Sequence, residues 1–386
     1  MPIVKRIAEF QTEIAEFRRD LHQHPELLYD VHRTAGRVAD KLKEFGVDEV
    51  VTGIGRTGVV GVIHGSGQGP VIGLRADMDA LPIEEATALP YSSKNDGLMH
   101  ACGHDGHTSM LLGAAKYLAE TRQFRGTVIL VFQPAEEGGA GAKAMLDDGL
   151  MERFGIEEIY GMHNMPGLPI GQFAIRPGPL LASTDEFGIA VQGRGGHAAW
   201  PSENLDPIVA AAAIVGALQT IVARSISPLD AAVVSVTQIR AGTASNITPD
   251  TAWLGGTVRS IRASVRDLLE QKIGSIAKGI AASYGTAATI DYQRKYPVTN
   301  NHPDKTAFAA EIASDIVGPE RVETDTPPIL GAEDFSYMLE ARPGAFILIG
   351  NGDSAILHSP HFDFNDEAIP IGASYWLRLV ERRLAA

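Results

Sequence analysis

Apolar positions at the start of the chain recur with a helical period. Ile7, Phe10, Ile14, Phe17 and Leu21 fall three or four residues apart, with charged residues on the other face, which predicts a helix over 3–21. A second helix is predicted over 33–45, stopped by Gly46. The texture then changes. Segments 58–64 and 71–74 are short, apolar and β-branched, as strands are. Helical spacing returns over 107–120. Further strands are predicted at 127–132, 156–160 and 346–349, and a closing helix at 367–384. Strands alternating with helices point to an α/β sheet covered on both faces.

The middle of the chain has its own order. Segment 187–192 reads as a strand, 207–224 as a long helix, 232–239 and 252–260 as strands, 264–284 as a helix and 288–292 as a strand. That is β-α-β-β-α-β, the ferredoxin-like arrangement, within about 110 residues. The expected organisation is a catalytic domain in two parts, 1–183 and 297–386, interrupted by an inserted ferredoxin-like domain, 184–296.

A chain of 386 residues exceeds one typical core, which agrees with two domains. The formal net charge of -14 disfavours nucleic acid and anionic membranes as partners, since both are polyanions. Cys102 is the single cysteine, so no disulfide forms within the chain, as expected in a reducing compartment. Met1 to Phe10 has no signal-peptide core, and the most apolar run, 208–218, is far short of the about 20 residues that span a bilayer. The expectation is a cytoplasmic protein.

Four ligand-rich segments each follow a predicted strand: Arg75-Ala76-Asp77-Met78-Asp79, Gln133-Pro134-Ala135-Glu136-Glu137, Gly161-Met162-His163-Asn164 and Leu357-His358-Ser359-Pro360. Open α/β sheets gather ligands at the carboxyl ends of their strands, so these distant segments are expected to converge. The densest segment, His100-Ala101-Cys102-Gly103-His104-Asp105-Gly106-His107, carries thiol, imidazole and carboxylate just before a helix. All three suit zinc and its first-row neighbours. A lone histidine or cysteine is commonly structural, but the cluster with its companion segments favours a metal site. Glu136 and Glu137 leave a buried strand, and alternation in an extended segment would point them opposite ways, one towards a metal and one towards a substrate water. His197 follows the glycine-rich Gly193-Arg194-Gly195-Gly196 of the inserted segment, where a helix-start histidine is an equal reading. Asn246 and Arg259 are unspecific alone.

Together these segments resemble the metal-dependent amidohydrolases that include hippurate hydrolase, indole-acetyl-amino-acid hydrolases and bacterial N-acyl-amino-acid deacetylases, relatives of aminoacylase and the glutamate carboxypeptidases. The resemblance spans nearly the full length. It rests on Arg19-Asp20-Leu21-His22-Gln23-His24-Pro25-Glu26, on 75–82, 99–108 and 132–137, on Gly161-Met162-His163, on 195–199, 246–250 and 331–336, and on His358-Ser359-Pro360. It implies a zinc-aminopeptidase-like mixed sheet flanked by helices, with the inserted ferredoxin-like α+β domain as a lid. It implies hydrolysis of N-acyl amino acids at a site for two divalent ions, which a mixed ligand set allows to be Mn, Zn, Ni or Co. Cys102 would bridge the ions, His104 and His163 would complete one, and Glu137 and His358 the other. Asp77 and Asp79 would stand behind these ligands. Glu136 would be the general base, His197 would donate to the oxyanion within the chain or across a dimer, and Asn246 and Arg259 would grip the substrate carboxylate. A homodimer or higher oligomer through the lid is expected. His22 and His24 are read as structural.

Two departures stand out, the first against wider relatives and the second within the branch. Asp77 stands where they place a histidine ligand and Cys102 where they place a bridging aspartate, as in the hippurate-hydrolase branch. Trp200 replaces a smaller or flexible side chain, and is expected to pack between domains rather than narrow the cleft. Three competitors remain at this point: a dipeptidase or carboxypeptidase on the same site, an enzyme with Cys102 as nucleophile and His104 or His107 as its base, and a non-catalytic metal or amino-acid binding protein.

Overall fold

The computed structural model describes residues 4–385, and within them the chain forms two compact units. One holds the residues up to Leu180, Asn300–Pro327 and the residues from Asp334 onward. The other holds Leu181–Thr299 and Pro328–Glu333.

The larger unit is built on an eight-stranded mixed sheet. Its order is Glu49–Ile54, Gly58–His64, Thr127–Gln133, Val71–Asp77, Glu158–Met165, Gly344–Gly350, Phe173–Ala174 and Val322–Glu323. The four strands from Thr127–Gln133 to Gly344–Gly350 run parallel to one another. Their residues are buried almost throughout, which is why they read as continuous apolar runs rather than alternating ones. Helix His104–Thr121 is buried along most of its length and packs between helices Lys5–His22 and Ala368–Arg383. Gly106 permits one close approach, because a Cβ there would meet the Phe364 ring at 2.2 Å.

Several expected boundaries shift, for one reason. Strand 71–74 extends to Asp77, and 156–160 becomes Glu158–Met165. Polar residues at these ends are partnered in the interior, so the chain remains in the sheet where polarity suggested exit. The first expected helix begins at Lys5, its position Ile3 lying outside the described residues. Strand Glu49–Ile54 and helix Pro303–Val317 were not anticipated. Among the described residues, no helix is long and apolar enough to cross a membrane.

The smaller unit has a four-stranded antiparallel sheet in the order Ala232–Ala241, Thr251–Ser260, Ser183–Gln192 and Ala287–Arg294. Helices Pro207–Leu218 and Ala263–Ser283 pack on it and on each other over the aliphatic cluster of Ile189, Ile214, Leu254 and Leu269. The chain order is thus β-α-β-β-α-β. The expected 207–224 helix is broken at Gln219, with Thr220–Ser225 following as a separate helix.

Candidate metal centre

The parallel register brings the carboxyl ends of three strands to one edge: Asp77 lies opposite Gln133, and Arg75 opposite Gly161. Strand Thr127–Gln133 ends there, and Ala135 takes a left-handed φ of 56° that breaks the extended run. The buried carboxylate of Asp79 fixes the turn, accepting the backbone N–H of Glu136 at 2.9 Å and of Glu137 at 3.1 Å. Alternation of the two glutamates therefore fails. A carboxylate oxygen of each and a ring nitrogen of His104 lie within 4.8 Å of one another.

Cys102 and His104 flank Gly103, whose φ is 90° and where a Cβ would lie 2.3 Å from Asn164 Nδ2. The Asn164 amide donates to the Cys102 carbonyl at 2.6 Å, and His104 opens the long helix rather than preceding it. His163 lies within its strand, not after it. Its Nδ1–H donates to the Asn164 carbonyl at 2.6 Å, leaving Nε2 with a lone pair 3.4 Å from Cys102 Sγ. His358 has a left-handed φ of 63°, and its backbone N–H donates to the Ala101 carbonyl at 2.8 Å. Its Nε2 is 3.4 Å from Glu137 Oε1. Ligand atoms of Cys102, His104 and His163 lie within 4.8 Å of one another, as do those of Cys102, Glu137 and His358, so two triads share the thiol.

The electrostatics suit a cation. Burial, aided by Glu137, Glu136 and Asp77, pushes the Cys102 thiol well above its ordinary range. Burial opposes charge on His104, yet Asp77, Asp79 and Glu137 outweigh it and push the imidazole up to about 10. Burial holds His163 well below the usual histidine range, hence neutral. Both ring nitrogens of His104 and Oε1 of Glu137 are buried without a hydrogen-bond partner. Unpaired buried polar atoms converging with a thiol are what a metal would satisfy. The residues present therefore fit divalent ions, whose binding to such a set is coupled to loss of ligand protons.

Asp77 lies between His104 and His107, its Oδ2 3.6 Å from His104 Nε2. Its Oδ1 accepts from His107 Nδ1 at 2.6 Å and its Oδ2 from Arg75 at 2.9 Å. His107 Nε2 accepts the Asn164 backbone N–H at 2.9 Å, so both its nitrogens are engaged although it belongs to the densest motif. Arg75, fully buried, also donates to Gln133 at 2.8 Å and Asp334 at 3.1 Å, and Asp334 accepts the Ala142 N–H at 2.9 Å. Sequence assigned no role to Asn164, Arg75 or Asp334, and offered His107 only as a possible base for a Cys102 nucleophile. All four lie in its motif segments, but only the strand register shows what they hold. His22 sits apart from the ligands, its Nδ1 2.9 Å from Asp105, and His24 bonds the Asp20 carbonyl at 2.8 Å.

In the smaller unit, His197 lies on strand Gly196–His197, paired with Ile247–Thr248, rather than at a helix start. The Ala198 N–H donates to the Asn246 carbonyl at 3.1 Å, which makes His197 and Asn246 neighbours. Arg259 is half-buried on Thr251–Ser260, donating to Thr257 Oγ1 and to the Val258 carbonyl. Trp200, expected to pack between domains, is 58% exposed and lies against the His197 ring with centroids 4.8 Å apart.

The sequence profile of peptidase family M20/M25/M40 matches residues 73–382. A hippurate hydrolase of Campylobacter jejuni is 44% identical over 384 residues, covering 100% of both chains. An N-acetylcysteine deacetylase of Bacillus subtilis is 41% identical, covering 96% of each. Among solved structures, a dinuclear metal binding peptidase of the M20 family from Bacillus subtilis superposes with a TM-score of 0.86 at 37% identity, over 98% of this chain and 99% of that one.

Proposed function

The chain belongs to peptidase family M20/M25/M40, and from that membership we propose that it hydrolyses the amide bond of N-acyl amino acids, with hippurate-like and N-acetyl conjugates as its substrate class. The observation that carries this reading is the pair of ligand triads sharing Cys102, with Glu136 beside them. Cys102, His104 and His163 would hold one divalent ion, and Cys102, Glu137 and His358 a second, drawn from Mn, Zn, Ni or Co. Such ions, when bound, polarise a carbonyl and acidify water.

Glu136 takes the proton of the attacking water and returns it to the leaving nitrogen as the C–N bond breaks. His197 donates to the carbonyl oxygen as negative charge develops there. Asn246 and Arg259 hold the substrate carboxylate. Asp79 keeps Glu136 and Glu137 in register, and Asp77 holds the His107 side of the site. A cytoplasmic setting and a homodimer through 184–296 complete the proposal. Cys102 is a poor nucleophile here, because burial and three carboxylates keep its thiol protonated.

The test is a turnover screen of N-benzoyl, N-acetyl and dipeptide substrates with the metal-stripped protein and with each ion added back. Amide cleavage that appears only with metal, and is fastest on N-acyl amino acids, is expected. Full activity in protein proven metal-free by elemental analysis would overturn the proposal.

A further inference from the structure

We infer that Trp200 is a positioning residue for His197, holding its imidazole in the single tautomer and orientation that presents Nε2–H to solvent. The inference rests on the proposed role of His197 as oxyanion donor. His197 stands exposed at the end of a two-residue strand, where no core packing selects a rotamer. Two contacts do so instead. The Ala199 N–H donates to His197 Nδ1 at 3.1 Å, which requires a lone pair on Nδ1 and so places the proton of the neutral ring on Nε2. The Trp200 indole packs against the ring in a tilted arrangement, at a centroid distance of 4.8 Å and an interplanar angle of 32°, within the distance range of aromatic contact. One contact sets the ring nitrogens, and the other holds the ring in the plane in which that first contact forms.

The backbone beneath does not depend on the indole. The Trp200 N–H donates to the His197 carbonyl at 2.9 Å, closing a turn. Asn204 Nδ2 donates to that same carbonyl and to Thr248 Oγ1, each at 3.2 Å. Gly196 makes room for this bracket, since a Cβ there would lie 2.2 Å from Asn204 Oδ1. Removing the indole therefore leaves the turn and frees only the imidazole. An apolar ring 58% exposed gains little from burial, so its place is accounted for by what it stacks on.

The test uses the full-length, zinc-loaded protein with an N-benzoyl amino acid. Trp200→Ala and Trp200→Phe are made in the wild-type and His197→Ala backgrounds. Trp200→Ala is expected to lower kcat ~5–10-fold, the scale of one side chain left unordered, with KM changed less than about twofold. Trp200→Phe, which keeps a stacking face, restores most of the rate. In the His197→Ala background Trp200→Ala has no further effect, because a residue acting through His197 is fully coupled to it. Nitrogen-15 imidazole spectra should show the Nε2–H tautomer in wild type and a mixture in Trp200→Ala. An equal loss in both backgrounds, or a raised KM at constant kcat, would mean that the indole touches substrate and would overturn the inference. If His197→Ala turns over normally, the oxyanion reading fails by itself. The tautomer comparison then decides, an unchanged Nε2–H form in Trp200→Ala being the refuting result.

Discussion

Replacing Asp79 by asparagine should separate function from stability. The Asp79 carboxylate is fully buried and does three things: it accepts the Glu136 N–H at 2.9 Å, accepts the Glu137 N–H at 3.1 Å, and lies 3.5 Å from His104 Nδ1. Asparagine has one acceptor oxygen, so one backbone N–H loses its partner and meets an amide NH₂ instead. A hydrogen bond to a charged group is worth roughly 1.5–3 kcal/mol. At about 1.4 kcal/mol per factor of ten, its loss predicts a ~10–10²-fold fall in turnover, as Glu136 and Glu137 leave register. Stability should respond less. Burial raises the Asp79 pKa despite His104 beside it, so its ionised form opposes folding and the neutral amide removes that opposition. The assay measures bound metal, kcat and KM, and the thermal midpoint on one preparation. Normal turnover with full metal content would refute the argument that Asp79 sets the glutamate pair.

Two further outcomes follow from named groups. Glu136→Gln should lower kcat by at least ~10² while bound metal and substrate affinity are retained; turnover lost together with the metal would make Glu136 a ligand rather than a base. His22 links stability to pH. Burial opposes its charge, but the bond and charge of Asp105, with Glu85 behind, push it up to about 9 from 6.5. Its contribution is therefore complete below about pH 6.5 and lost as pH rises through about 9, with an upper bound of roughly 3 kcal/mol. Denaturant unfolding of wild type and His22→Gln should show a stability gap that narrows over this window, and a gap independent of pH would sink the assignment.

Element types were legible where apolar residues were continuous, because full burial writes itself as an unbroken run in 127–132 and 346–349. Their ends were not. Arg75, Asp77, His163 and Asn164 read as loop by polarity, yet each remains in a strand because its polar groups are paired inside. The converging segments could be named from sequence, but not the division of labour within them. Spacing alone cannot tell His104 from His107. The difference is that both nitrogens of His107 are hydrogen-bonded, to Asp77 and Asn164, while those of His104 make no hydrogen bond and lie 3.5 and 3.6 Å from the carboxylates of Asp79 and Asp77. The turn at Ala135 escaped for another reason. A left-handed residue is signalled in sequence by glycine, and here an alanine adopts it, held by the bonds that Asp79 makes just beyond.

The ligand residues are held from behind the atoms that would bind metal. The bonds that fix these residues largely avoid the atoms that would bind metal. Asp79 grips the backbone of Glu136 and Glu137, Asn164 grips the carbonyl of Cys102, Ala101 grips the backbone N–H of His358, and His163 is steered through Nδ1. Cys102 Sγ, His163 Nε2, His358 Nε2 and Glu137 Oε1 remain turned towards one another. Four neighbouring carboxylates, those of Asp77, Asp79, Glu136 and Glu137, would repel one another in such a buried place. Arg75 and a protonated His104 offset part of that charge, and the thiol adds none while it keeps its proton. The backbone bonds of the sheet edge thus orient the ligand residues, and a divalent ion bound there would displace the protons that His104 and Cys102 carry.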